Sequence, residues 1–87
     1  MDDELPQVIQ GREGWTWAAD GSTATFRHAS GAWGATVRQP ATPPKRWLRW
    51  FISGVHPDGN SAWSTYAGSP LEAVRLAEAW VKRQEDR

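Results

Sequence analysis

The sequence has 87 residues, 39% of them hydrophobic and 23% charged, with a formal net charge of zero, and it predicts one globular domain with a single small core. The absence of cysteine excludes disulfide bonds, thiolate nucleophiles and thiolate zinc sites, and it is typical of an intracellular protein. No apolar run approaches the roughly 18–20 residues of a membrane span, and the acidic N-terminus is unlike a signal peptide, so we expect a cytoplasmic location and no membrane partner.

Short alternating segments separated by turn signals run through most of the chain. Residues 1–13 lack such a pattern, so we predict a flexible N-terminal arm there, with a candidate edge strand at Gln7–Gln10, and a folded domain over residues 14–87. The Asp-Gly pairs at 20–21 and 58–59 are typical of tight hairpin turns. The pattern predicts an antiparallel β-meander of four to five strands, at residues 15–19, 22–28, 33–39, 46–54 and 62–67.

The last predicted element is a helix that begins after Ser69. Ser69 has the form of an N-cap, Pro70 suits the first helical position, and Glu72 completes a capping box. Apolar residues recur at helical spacing along one side, namely Ala73, Val74, Leu76, Ala77, Trp80 and Val81. One such helix can cover one face of the sheet, so we predict an α+β domain with the helix packed on one side.

The two faces of the predicted sheet differ in character. Because side chains alternate along a strand, one face should carry the core residues Phe26, Val37, Leu48, Trp50 and Ile52 beneath the helix. The other face should carry Thr23, Thr25, Arg27, Thr36, Arg38, Trp47, Arg49 and Phe51. Threonine and arginine suit a solvated face, but Trp47 and Phe51 do not. We therefore expect this second face to pack against another molecule.

The distribution of charge along the chain also indicates that the second sheet face binds a partner. The segment from Gly21 to Pro57 contains arginine and lysine but no acidic residue, while the acidic residues lie before and after it. Such a layout steers association with a partner rather than determining the fold. We predict a partner-binding site with Trp47 and Phe51 as apolar anchors, Arg27, Arg38 and Arg49 as their charged complement, and Lys45 and Arg46 at the rim.

Signals of catalysis or of a bound cofactor are almost absent from the sequence. His28 and His56 are far apart in the chain, and neither has the spacing of a metal ligand. We expect His28 to be a hydrogen-bonded strand end and His56 to be exposed in a turn. No glycine-rich loop joins a strand to a helix, so a phosphate-binding loop is not indicated. The prediction is a protein that is not an enzyme, with no catalytic residue, metal or cofactor.

A set of residues spread over most of the chain resembles short proteins of phages and actinobacterial mobile elements. These residues are Trp17, Asp20, Gly21, Trp33, Trp50, Ile52, Gly54, Ser69, Glu72, Ala73, Ala77, Glu78 and Trp80. Proteins of this style, which include anti-CRISPR inhibitors, combine Trp-rich strands and Asp-Gly turns with a terminal helix that opens with Ser-x-x-Glu-Ala. The resemblance implies an accessory protein that binds and inhibits or modulates a host macromolecular machine, either a protein or a protein–nucleic acid complex.

The motif Ser69-Pro-Leu-Glu-Ala73 behind Trp-rich strands is also similar to the arm-type DNA-binding domains of tyrosine recombinases, over roughly residues 15–83. That resemblance implies a nucleic-acid ligand, and a sheet face that interleaves arginine with aromatic residues can stack bases and neutralise phosphates. A net charge of zero argues against it, because nucleic-acid-binding domains are usually basic. A homodimer through the aromatic sheet face is a further alternative.

Overall fold

A computed structural model describes residues 5–18, 23–28 and 31–86. The elements in chain order are α1 (Leu5–Ile9), β1 (Trp15–Trp17), β2 (Thr23–Arg27), β3 (Gly34–Arg38), β4 (Trp50–Val55), β5 (Ser61–Ala67) and α2 (Pro70–Glu85). The five strands form one antiparallel sheet in the order β1-β2-β3-β4-β5, with α2 packed against it, which confirms the predicted α+β meander. Within these ranges, no helix has both the length and the apolar character that a membrane crossing requires.

The turn between β4 and β5 shows how local signals set the topology. Gly59 has φ +95°, a conformation that glycine adopts without steric cost, and its N–H donates to the His56 carbonyl at 2.9 Å. Asn60 N–H donates to the Asp58 carboxylate at 2.9 Å, which completes the turn. The predicted turn at 58–59 is therefore confirmed. The turn signal at 20–21 lies outside the described residues.

The core lies between α2 and the sheet face that carries Ala24, Phe26, Ala35, Val37 and Ile52, all of them buried. Trp80 of α2 is central to it. The Trp80 ring stacks on Trp63 with ring centroids 5.4 Å apart and contacts Trp33 edge-on at 5.6 Å. The predicted helix face is confirmed, because Ala73, Val74, Ala77, Trp80 and Val81 are buried and Leu76 is partly buried.

The start of α2 has the predicted cap. Ser69 Oγ accepts a hydrogen bond from the Glu72 N–H at 3.2 Å, and Pro70 is the first helical residue. The Glu72 carboxylate in turn accepts from the N–H of Gly68, at 3.2 Å. Two backbone N–H groups are therefore paired, that of Glu72 in the first helical turn and that of Gly68 just before the cap, whereas an ideal capping box pairs the Glu72 side chain with the Ser69 N–H.

Replacing Ser69 with alanine should lower the free energy of unfolding by about 1 kcal/mol, because one of these two donors loses its acceptor. Chemical denaturation followed by far-UV circular dichroism measures the change. A Ser64→Ala variant is the control, since Ser64 is exposed on β5 and caps no helix. Equal effects of the two substitutions would show that the cap contributes nothing specific.

The N-terminal segment differs from its prediction. Residues 5–9 form a short helix that packs against α2, and Leu5 and Ile9 are buried. The candidate edge strand at Gln7–Gln10 is therefore wrong, because Pro6 favours a helix start and the i, i+4 pair Leu5 and Ile9 buries one side of a helical turn. The flexible arm does not extend over residues 5–9, and residues 1–4 lie outside the described part of the chain.

The fourth strand is shorter than predicted. It begins at Trp50 rather than at residue 46, because a turn closes before it, with the Leu48 N–H donating to the Lys45 carbonyl at 3.0 Å. The alternation of faces therefore applies from Trp50 onward. It does not apply to Trp47, Leu48 and Arg49, whose assignment to opposite sheet faces was wrong. Leu48 is half-buried and belongs to the connection between β3 and β4.

Candidate binding surface

The sheet face that points away from α2, here called the open face, carries one row of large side chains. Cross-strand pairing places Thr23 beside Arg38, Arg38 beside Phe51, and Phe51 beside Tyr66. Directly paired residues of antiparallel strands point to the same side of the sheet. Arg38, Phe51 and Tyr66 therefore form a continuous row, which we call the aromatic row.

The members of the aromatic row contact one another. The Arg38 guanidinium carbon lies 5.0 Å from the centre of the Phe51 ring, a cation–π distance. The Phe51 and Tyr66 rings are 5.1 Å apart and inclined by 58°. Phe51 and Tyr66 are only partly buried, because α1 and α2 pack elsewhere. The row is therefore an ordered aromatic surface that remains accessible to another molecule.

The connection between β3 and β4, residues 39–49, adjoins the aromatic row and is here called the basic loop. Its residues Lys45, Arg46 and Arg49 are exposed. Trp47 is 66% exposed, more than any other large hydrophobic residue in the described part of the chain. An alanine side chain at Gly68 would approach the Trp47 carbonyl to 2.8 Å, so the loop backbone is held close to the end of β5.

The seven residues predicted for the site are therefore arranged in three groups. Arg38 and Phe51 lie in contact on the open face, as the alternation predicts. Trp47 and its basic neighbours are exposed but belong to the basic loop rather than to the sheet. Arg27 is paired with Gly34 at the opposite end of the open face, where its guanidinium donates to the Gly31 carbonyl at 3.4 Å. Arg27 is thus apart from the aromatic row.

Tyr66 is the member of the surface that the sequence interpretation missed. The sequence predicts the strand that contains Tyr66 but not its register against β4. It therefore does not predict the sheet face to which Tyr66 points. The turn at 58–59 alone does not reveal it, because the pairing shifts by one residue at Gly54/Val55, and the register next to the turn would pair Phe51 with Thr65 instead. In the structure Phe51 and Tyr66 are direct cross-strand partners.

The electrostatic character of this surface is uniform. The aromatic row and the basic loop include Arg38, Lys45, Arg46 and Arg49, and neither contains an acidic residue. Charges of one sign on a surface raise the rate of encounter with a partner of the opposite sign. The surface is therefore suited to an acidic partner that also offers apolar contacts.

A second polar cluster lies on the other side of the molecule, between β1 and α2. The Glu78 carboxylate accepts two hydrogen bonds from Arg12, at 2.8 and 3.0 Å, and one from the Trp15 indole N–H at 2.8 Å. Burial raises the pKa of Glu78, but the hydrogen bonds from Arg12 and Trp15 and the charges of Arg12 and Lys82 lower it more, so its pKa lies below the ordinary value. The Glu78 side chain is therefore half-buried and ion-paired rather than solvated.

A cleft of about 510 Å³ opens beside this cluster. Its lining mixes three cationic side chains with two carboxylates, together with His28. His28 Nδ1 lies 4.0 Å from a Glu85 oxygen. The other histidine, His56, is exposed, as predicted. In the described ranges of the chain, no three His, Cys, Asp or Glu side chains form a group that could hold a metal ion.

No protein-family model matches the chain, and no match was found among the curated proteins or the solved structures. The function has therefore to be inferred from the geometry of the chain itself.

Proposed function

We propose that this chain is a non-enzymatic binding protein that attaches to an acidic surface of a host protein through the aromatic row and the basic loop. The observation that carries the proposal is the contact series from Arg38 to Phe51 to Tyr66 on a sheet face that neither described helix covers. The largely exposed Trp47 lies in the loop beside it. Tryptophan, tyrosine and arginine are the residue types that most often dominate the energy of protein interfaces.

The two parts of the surface would contribute in different ways. The aromatic row is rigid, because its residues sit on paired strands and contact one another before any partner arrives. Little side-chain entropy is then lost when the row is covered. Trp47 starts largely exposed, so its burial in a partner pocket would remove more apolar area from water. The basic side chains would supply attraction at long range and orientation at contact.

An inhibitory or modulating role fits a binding protein of this size. A small domain that covers a functional surface of a larger machine can block it without any chemistry of its own. The support for a host machine as the partner is the sequence resemblance to phage and mobile-element accessory proteins such as anti-CRISPR inhibitors. The uniform positive charge of the binding surface supports an acidic partner.

Replacing Trp47 with glutamine should leave the free energy of unfolding nearly unchanged and weaken partner binding by about 2 kcal/mol, roughly thirtyfold in Kd. The reason is that Trp47 is 66% exposed and contributes little to the core. The partner is first captured from host lysate with the wild-type protein. Its affinity for both proteins is then measured by calorimetry.

The matched control is Trp50→Ala, since Trp50 packs against the core in the same part of the chain. This change should lower stability and leave the affinity of the folded fraction unchanged. If Trp47→Gln lowers stability as much as Trp50→Ala does, Trp47 is a structural residue. If the affinity is unaltered in Trp47→Gln, the proposed surface is not the one that binds.

Nucleic acid is a second candidate ligand, favoured by the arginine–aromatic stack of Arg38 and Phe51. Such a stack can contact an unpaired base and a phosphate together. Fluorescence anisotropy with single- and double-stranded oligonucleotides at two salt concentrations distinguishes the two candidates. Phosphate-driven binding weakens steeply as salt rises, and an absence of binding at low salt removes nucleic acid as a direct ligand.

A further inference from the structure

We infer that β5 is a dimerisation edge, at which a second copy of this chain adds its own β5 in antiparallel orientation to make one continuous sheet of two five-stranded halves. The β5 strand of the second copy binds there in extended form, because the edge presents backbone N–H and C=O groups that have no partner among the described strands of the sheet. This interface adjoins the aromatic row at Tyr66, but it is formed by the backbone edge of β5 rather than by the open face, and it goes beyond the proposed function.

The first observation is that β5 is paired on one side only. It forms the edge of the sheet, and its described contacts within the sheet are with β4. No backbone hydrogen bond joins Ser61–Ala67 to any other described element. In an edge strand, alternate residues turn their N–H and C=O groups outward. The outward groups of β5 are therefore available to a further strand.

The second observation is that β5 lacks two of the features that usually protect an edge strand, charged side chains and proline, and has a bulge at one end only. Its seven residues, Ser61–Ala67, include neither a charged residue nor proline. An irregularity in the pairing at Gly54/Val55 distorts the Ser61 end and leaves the rest of the strand regular. The opposite edge of the sheet, β1, has only three residues and offers a much shorter template.

The composition of β5 favours a second copy as the occupant. At a two-fold axis the central residue faces its own counterpart, so a charge at or near the centre of the strand would meet a like charge across the axis. The uncharged β5 avoids this repulsion. The register with the most overlap is centred on Ser64, which then faces its own copy. In that register Trp63 faces Thr65 of the other copy, and Tyr66 faces Ala62, so large side chains meet small ones.

The packing of α2 leaves room for this arrangement on the core side. The helix lies mainly over β3 and β4, and Trp63 of β5 is only partly buried although its ring stacks on Trp80. A second copy would cover the outer side of Trp63 and extend the core across the axis. On the open face, Tyr66 would cover the exposed Ala62 of its neighbour.

Sedimentation velocity over a wide concentration range tests the inference with charge variants at the two edges. Ser64→Lys places like charges across the axis and should raise the dimer Kd about tenfold or more. Thr16→Lys is the matched control, because Thr16 is an exposed open-face residue on the opposite edge strand, and it should leave the dimer unchanged. Circular dichroism checks that both variants are folded.

Disulfide trapping gives an independent readout, because the natural chain has no cysteine. A Ser64→Cys variant should form a covalent dimer on mild oxidation, since directly opposed strand residues have Cα atoms about 4.5–5.5 Å apart, within disulfide range. Ser53→Cys, on the interior strand β4, should not. A wild type that stays monomeric at all concentrations, or equal trapping of the two variants, overturns the inference. A dimer lost in Trp47→Gln but kept in Ser64→Lys also overturns it, by placing the interface on the basic loop.

Discussion

Replacing Trp80 with alanine is expected to lower the free energy of unfolding by about 3–5 kcal/mol, the cost of removing a large aromatic side chain from a core. Trp80 is 6% exposed and joins α2 to three strands, through Trp63 on β5, Gly54 on β4 and Trp33 beside β3. In a chain of 87 residues no second core can compensate for the cavity. Urea denaturation followed by far-UV circular dichroism measures the loss.

The close contact between Trp80 and Gly54 provides a sharper test of the same packing. A Cβ atom at Gly54 would lie 2.6 Å from the Trp80 ring, so Gly54→Ala should cost about 1–3 kcal/mol through overpacking. In a Trp80→Leu background the same substitution should cost less, because the ring that it meets is gone. The control Trp47→Ala removes an exposed tryptophan and should have little effect. Strictly additive losses from the two core changes would show that they do not pack together.

The elements that the sequence predicted well are those determined by neighbouring residues. The helix after Ser69 follows from its cap and its apolar stripe, and the turn at 58–59 follows from the conformational freedom of Gly59. In a meander each strand pairs with the next one along the chain, so local signals are enough to give the order of strands. The fold class was therefore accessible from the sequence alone.

The features that the sequence did not predict depend on contacts between distant residues or on where a strand begins. The short helix α1 is held by burial of Leu5 and Ile9 near α2, far along the chain. The start of β4 is set by the turn at 45–48, although the alternation in the sequence continues through it. An isolated pattern cannot distinguish an alternating loop from a strand, because only the pairing partner decides.

In the candidate site, too, the sequence pattern predicts some features, while others depend on how distant strands pair. Arg38 and Phe51 were placed on one face by alternation, and the register of β3 and β4 brings them into contact. Arg27 shares that face but lies at its other end, because alternation gives the side of a residue and not its neighbour. The position of Tyr66 beside Phe51 could be assigned only from the register of β5 against β4. The position of Trp47 required the backbone path of the basic loop, which no periodicity describes.

The Glu78 cluster is a further contact that the sequence could not show, since Arg12 and Glu78 are 66 residues apart. The Glu78 side chain is 16% exposed and that of Arg12 is 35% exposed, so the pair is partly shielded from water. The Glu78 carboxylate on α2 thus binds Arg12, between α1 and β1, and Trp15, the first residue of β1. We expect this cluster to hold the N-terminal part of the chain onto the domain.

Replacing Glu78 with glutamine should lower the free energy of unfolding by about 2 kcal/mol at neutral pH. The amide cannot accept all three hydrogen bonds, because its NH₂ group is a donor and would face the donors of Arg12 or Trp15. Chemical denaturation at constant pH measures the change. Glu13→Gln is the matched control, since Glu13 is an exposed carboxylate, and it should alter stability by less than about 0.5 kcal/mol.

The pH dependence of this difference tests its electrostatic origin. The pKa of Glu78 is lower in the folded protein than in the unfolded chain, so the unfolded chain takes up the proton first as the pH falls. The stabilisation by Glu78 is therefore complete above the ordinary carboxyl pKa of about 4.3, and it is lost as the pH falls through the lower folded value. The stability of the wild type should approach that of Glu78→Gln over this acidic range. A difference that stays constant from neutral to strongly acidic pH would mean that side-chain shape, and not the charge of Glu78, holds Arg12 and Trp15 in place.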